Sequence, residues 1–232
     1  MGMGGALVLL PSVFAACDSD NDTGTGPSGS TTYTLDLSND TGILNYAYAL
    51  EQLEAAYYTA AIASAGFAAL SANEQEVLAD LQKHEVIHRE FFKTVLGSSA
   101  IPTINFNTTT VGTLTANRTV LLSTSQLLED TGVSAYNGAG KYLTSAANLL
   151  VAGKIVSVEA RHAAAIRDIR DTTGRLFAGD DVVNAAGLDV KAEPGTVGAA
   201  VNSLNVINGT IAIGTQPDVN KKTADATAPT PT

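Results

Sequence analysis

The chain reads as an all-α protein, a four-helix bundle with a long connection between its second and third helices and an irregular C-terminal extension. Three observations predict this. Four segments of about 25 residues place apolar residues at three- and four-residue intervals, the period of a helix with one buried face. Cap and stop residues bracket these segments. Each segment also carries one share of a single set of acidic and imidazole side chains: Glu51 and Glu54, then Glu85 and His88, then Glu129, then Glu159 and His162.

The first segment, about Thr41 to Ala65, spaces Leu44, Ala47, Leu50, Leu53, Tyr57 and Ala61 along one face, with Asn39, Asp40 or Thr41 available as cap. The second opens on Ser71-Ala-Asn-Glu74, a capping box, and continues through Leu78, Leu81 and Phe92 to a terminating Gly97. GSSAIPTINFNTTTVG follows, a long irregular connection, as expected if the second and third helices run parallel and the chain must travel the length of the bundle. The third segment is about Leu114 to Ala139. The fourth starts near Thr144 or Ser145, runs through Leu149, Ile155, Val158 and Ile169, and stops at Gly174.

Glu85-x-x-His88 and Glu159-x-x-His162 are the chemically informative pairs. Positions i and i+3 share a helix face, so each pair directs a carboxylate and an imidazole to one point. With three histidines and nine glutamates in the chain, a given histidine has glutamate three positions earlier roughly 4% of the time. Two of three do, so the combination carries far more weight than either pair alone. Two such helices, and two that each give one glutamate, supply the ligands for two metal ions inside a bundle. A faint repeat selects among the upstream glutamates. Aligning Leu50-Glu51 with Leu128-Glu129 superposes Tyr58 on Tyr136, and Glu54 has no counterpart. Glu51 is therefore the expected ligand, with Glu54 the alternative.

Composition narrows the classes. A net charge of -10 and the lack of any basic cluster argue against a nucleic-acid partner. One cysteine forms no intrachain disulfide and no cysteine metal cluster, leaving oxygen and nitrogen ligands. That cysteine, Cys17, follows the apolar run GGALVLLPSVFAA, too short to span a bilayer and closing on small residues. Residues 1–17 resemble a bacterial lipoprotein signal in which Cys17 becomes the lipidated first residue. The run departs from that pattern in lacking a preceding Lys or Arg and in placing Phe14 where Leu is usual. An ordinary cleaved secretory signal is the alternative. Residues 18–38 read as a flexible polar tether of roughly 20 Å reach, 39–174 as the bundle, 175–220 as an irregular extension with a short helix near Val197 to Val206, and 221–232 as a disordered tail.

With these residues in place, the chain resembles the ferritin-like superfamily. The runs LEQLEAAYY, HEVIHREFF, LEDTGVSAY and SVEARHAAAIR are similar to the bacterial ferritin-like domain family related to plant desiccation-related proteins. The resemblance implies an antiparallel bundle and often a centre of two Fe or two Mn ions. It matches Glu51, Glu85, His88, Glu129, Glu159 and His162 to the six ligands. Tyr58 and Tyr136 fall where aromatic residues commonly sit behind the ligands, and equally suit an amphipathic core. Glu85 and Glu159 are the expected bridging carboxylates, and Glu51 and Glu129 the terminal ones. His84 is expected at the surface or behind a ligand, and Arg89 and Arg161 on the solvated face. The same side chains could instead form a metal-free polar network.

Three functions remain open on this reading. One is a di-iron or di-manganese oxidoreductase of peroxidase, catalase or ferroxidase type, exported to the cell envelope, membrane-attached through Cys17 and acting on peroxide, O2 or Fe(II). The others are a metal-binding module without turnover and a noncatalytic stress-protective protein. A homo-oligomer is compatible with each.

Overall fold

Each long helix begins where the sequence offers a side-chain oxygen. In the computed structural model, which describes residues 31–171 and 173–217, β1 spans Thr31–Leu35, α1 Asp40–Ile62, α2 Ala65–Ala68, α3 Ala72–Leu96, α4 Thr108–Leu114, α5 Arg118–Ala139, α6 Ala146–Arg170, α7 Pro194–Ser203 and β2 Gly209–Ile213. Asn39 caps α1 through the Gly42 amide, Asn117 caps α5 through Val120 and Ser145 caps α6 through Asn148. Ser71 and Glu74 form the reciprocal box of α3, satisfying donors that a helix start otherwise leaves open. Gly97 closes α3 with a φ of 52°, a conformation that suits glycine.

The side-chain links between helix ends fix the helix directions. Asn45, near the start of α1, donates to the Ser99 carbonyl just beyond the end of α3, so these two helices are antiparallel. Asp40 at the start of α1 accepts from Thr144, Ser145 and Asn148 at the start of α6. Arg118 at the start of α5 bonds Glu74 at the start of α3 and the Ile169 carbonyl near the end of α6. Helices α3 and α5 therefore run parallel, and residues 97–117 must cross the bundle from one end to the other. Asn45 and Gln52 of α1 pin this crossover by accepting the amides of Ile101 and Ile104. Tyr57, Tyr58, Leu78, Leu121, Leu122 and Ile166 fill the core between the four helices.

The structure differs from the sequence reading in several places. The crossover contains a helix, α4, capped by Asn107 and anchored by buried Val111. The third long helix starts at Arg118 rather than near Leu114, and the fourth ends at Arg170, so Gly174 lies in a turn beyond it. Residues 31–38, expected within the tether, are structured: β1 pairs in parallel with β2, and Tyr33, Leu35 and Leu37 are buried. Their alternation with Thr34 and Asp36 is a strand period. The extension is also ordered, for α7 packs on β2, and Phe106 of the crossover bridges Ile207. The expectations for 1–17, Cys17 included, for 18–30 and for 221–232 lie outside the described residues. Among the described residues, no helix is long and apolar enough to cross a membrane.

Candidate metal centre

The helical periods of α1, α3, α5 and α6 turn Glu51, Glu85, Glu129, Glu159 and His162 into the middle of the bundle, where all five are 4% exposed or less. His88 closes the cluster with its side chain 12% exposed. The structure brings these six residues together as two groups that could each hold a metal ion: Glu51, Glu85, His88 and Glu159, and Glu85, Glu129, Glu159 and His162. In each group, one ligand atom from every residue lies within 4.8 Å of the others.

The oxygens divide between the two groups. His88 Nδ1 lies 2.9 Å from Glu159 Oε1, 3.4 Å from Glu51 Oε2 and 3.5 Å from Glu85 Oε2. His162 Nδ1 lies 2.8 Å from Glu85 Oε1 and 3.4 Å from both Glu129 Oε2 and Glu159 Oε2. Glu85 and Glu159 thus turn one oxygen to each side. Glu51 and Glu129 turn only Oε2 inward, because Oε1 of Glu51 accepts the Tyr136 hydroxyl and Oε1 of Glu129 accepts the Tyr58 hydroxyl at 2.5 Å. The tyrosines cross over, each helix supplying the donor for the other's glutamate.

The distances suit ion pairs between imidazole and carboxylate. Both oxygens of Glu85 and of Glu159, Oε2 of Glu51 and Glu129, and Nδ1 of His88 and His162 are buried without a hydrogen-bond partner. Buried polar atoms are seldom left so. In each group these atoms lie within 4.8 Å of one another, close enough to share one cation.

Their electrostatics explain why a cation fits. Burial pushes Glu51 well above the usual carboxylate range, and the charges of Glu159 and Glu85 push it the same way. Burial likewise raises Glu129, to about 8. Burial acts to lower both imidazoles, but the surrounding carboxylates outweigh it and hold His88 and His162 at about 12. Glu85, between the two imidazoles, drops to about 2 despite its burial. Four carboxylates in one core repel one another and lose hydration. Two divalent cations would balance four such charges.

The remaining expected residues fall around this cluster. Glu54 is buried but belongs to neither group. Arg161 is exposed, and Arg89 is partly exposed and pairs with Glu90. His84 is exposed and reaches the cluster, its Nδ1 lying 2.9 Å from His162 Nε2. The two ring planes are within 7° and the centroids are 5.1 Å apart, the arrangement of imidazoles joined edge to edge by an in-plane N–H···N bond. Counting from the aligned glutamates, Val158 takes the matching place one residue before Glu159, so His88 has no such support.

Sequence reasoning missed Arg167. It is 2% exposed and binds both oxygens of Asp130 and of Asp181 and the Leu176 carbonyl, fastening the extension to α5 and α6. Its spacing from Ile155, His162, Ala163 and Ile166 puts it on the buried stripe of α6, a signal visible in the sequence.

No curated protein matches the chain. A family model described as ferritin-like domain matches residues 39–172, from the cap of α1 to just past the end of α6, covering α1, α3, α5 and α6. The chain belongs to the ferritin-like domain family.

Proposed function

We propose that the protein holds a dinuclear iron or manganese centre and uses it for redox chemistry on peroxide, dioxygen or Fe(II), attached to the cell envelope through Cys17. The observation that carries this reading is the inventory of orphaned donors. Two carboxylates have both oxygens free, two have one free with the other bound to a tyrosine, and two imidazoles offer Nδ1. This is the demand of a pair of ions with two bridging and two terminal carboxylates. Oxygen-rich ligands with one nitrogen per ion suit iron or manganese better than a thiophilic metal.

When bound, such ions supply the electron transfer. The chain's own contribution is separate. Tyr58 and Tyr136 hold the terminal carboxylates in one orientation and keep a proton on each hydroxyl, since burial and the adjacent glutamates raise both phenols well above the usual tyrosine range. Leu50, Leu53, Leu128 and Ile166 keep the surroundings dry. His84 links His162 to solvent.

Assays of Fe(II) oxidation and of peroxide decomposition with oxygen evolution, run on metal-loaded protein, test the reading. Turnover in at least one, lost in Glu85→Ala, is expected. Inactivity in all, with metal bound, would replace catalysis by storage or a noncatalytic protective role. For the anchor, Cys17→Ala is expected to move the protein from the membrane fraction to the soluble one; unchanged partitioning would remove that part of the proposal.

A further inference from the structure

Single apolar side chains are ordinary at a protein surface, but those of α3 and α6 collect on one side of the bundle. Ile87, Phe91 and Val95 follow one another at four-residue intervals and are 62%, 37% and 51% exposed, so they form one stripe along α3. Phe91 stands two turns beyond His84, which reaches His162, so the stripe borders α6. On α6, Leu150 is 62% exposed, and Lys154 and Arg161, both exposed, follow it one and three turns on. The antiparallel contacts of His84 with His162 and of His88 with Glu159 set the register. Val95 falls level with Val151, beside Leu150, and Ile87 falls near Arg161. Val151 itself packs against the cluster of Phe92, Leu96 and Ile155, which joins the two helices.

The charge on this side has one sign. Lys154 and Arg161 make no ion pair among the described residues. Across residues 86–96 and 146–161 the only carboxylates are Glu90 and Glu159; Glu90 is paired with Arg89, and Glu159 is buried in the candidate centre. The chain as a whole carries -10, so an anionic surface repels most of it and favours contact here. The chain also enters the bundle at this end. Leu35 leads to Asp40, which binds the start of α6, and fourteen residues separate Cys17 from Thr31, a reach of roughly 20 Å as flexible chain.

We propose that this outer face of α3 and α6 lies against an anionic lipid membrane, with Ile87, Phe91, Val95 and Leu150 entering the headgroup layer and Lys154 and Arg161 facing the lipid phosphates. The contact rests on attachment through Cys17, which holds the face near the membrane; apolar burial and two basic groups add to it. A second copy docking by the same face would bring two basic patches together, which like-charge repulsion opposes.

Polarity-sensitive fluorophores on the full chain test the contact. In a Cys17→Ala background, Val95→Cys and Leu150→Cys carry the label on the face, and Leu127→Cys, 47% exposed on α5, carries it elsewhere. Excess vesicles of phosphatidylcholine with phosphatidylglycerol are expected to shift the emission of the first two labels to the blue and to leave the third unchanged. Lys154→Gln with Arg161→Gln is expected to weaken vesicle binding about tenfold or more. No shift at positions 95 and 150, or an equal shift at 127, would overturn the contact. A shift that needs no vesicles and grows with protein concentration would overturn it by giving the face to a second copy. The chain used has no lipid at Cys17, so a failed contact is distinct from a failed anchor, which the partitioning of Cys17→Ala in cells reads.

Discussion

Replacing His84 by leucine removes the edge-to-edge bond to His162 while leaving every ligand in place. His84 Nδ1 lies 2.9 Å from His162 Nε2 with the rings nearly coplanar. When His162 is neutral, an Nε2–H that donates along that line leaves Nδ1 unprotonated, the form that binds a metal. Loss of such a partner behind a ligating imidazole typically weakens metal binding 10- to 100-fold, about 1.4 to 2.8 kcal/mol. His88 has no matching partner, so the two ions of the wild-type centre should bind with unequal affinity, the His162 side first. Competitive Co(II) titration against a fluorescent chelator would resolve two steps. His84→Leu should weaken the tighter one by 10- to 100-fold and leave the other unchanged. His84→Asn, whose Oδ1 replaces Nδ1 as acceptor, should restore it. The side chain is exposed, so the fold is not at stake. Identical constants in wild type and His84→Leu would refute the reasoning.

Other perturbations probe the scaffold. Arg167→Met leaves Asp130 without the guanidinium that binds both its oxygens and should cost about 3 kcal/mol in urea unfolding; a loss below about 1 kcal/mol would show that solvent replaces the clamp. Asp40 is held at about 2: its partial burial works upward, but Thr144, Ser145 and Asn148 outweigh it by donating to the carboxylate. Its contribution is therefore fully present above the ordinary aspartate range and is lost as pH falls from about 4 through about 2, so Asp40→Asn should flatten the acid limb of a thermal-melting profile over that window. An unchanged limb would assign the acid sensitivity elsewhere. Tyr58→Phe and Tyr136→Phe each strip the donor from a buried glutamate oxygen; each should cost about 1 to 3 kcal/mol in the metal-free protein while metal still binds, and loss of metal would show that the tyrosines do more than hold carboxylates.

The parts of this architecture that were legible in the sequence are those encoded locally. Asn39, Ser71 and Ser145 announce helix starts because a cap acts on an amide two or three residues away. Glu-x-x-His is readable for the same reason, and the tyrosine register pointed to Glu51 over Glu54. What escaped depends on residues far apart. The alternation through Tyr33, Leu35 and Leu37 gives a strand period, yet its partner, Gly209–Ile213, lies some 178 residues away and no local rule names it. The run Thr108–Leu114 is β-branched and glycine-bearing, a poor helix by propensity, and its Asn107 cap and the burial of Val111 override that. His84 and His162 are 78 residues apart, so the bond between them needed the fold. Arg167 was readable as a position on the buried stripe of α6; its charge hid it, because buried arginine is uncommon until its carboxylates are seen.

The central claim is that the orphaned donors of Glu51, Glu85, His88, Glu129, Glu159 and His162 exist to hold two ions. Elemental mass spectrometry on the chain, purified without chelator from cells supplied with both iron and manganese, tests it most directly. The account predicts about two equivalents of Fe or Mn per chain, a marked loss in Glu85→Ala and His162→Ala, and a metal-dependent rise in melting temperature that both variants lack. No bound metal in the wild-type chain even after reconstitution, or unchanged metal in both variants, would contradict it.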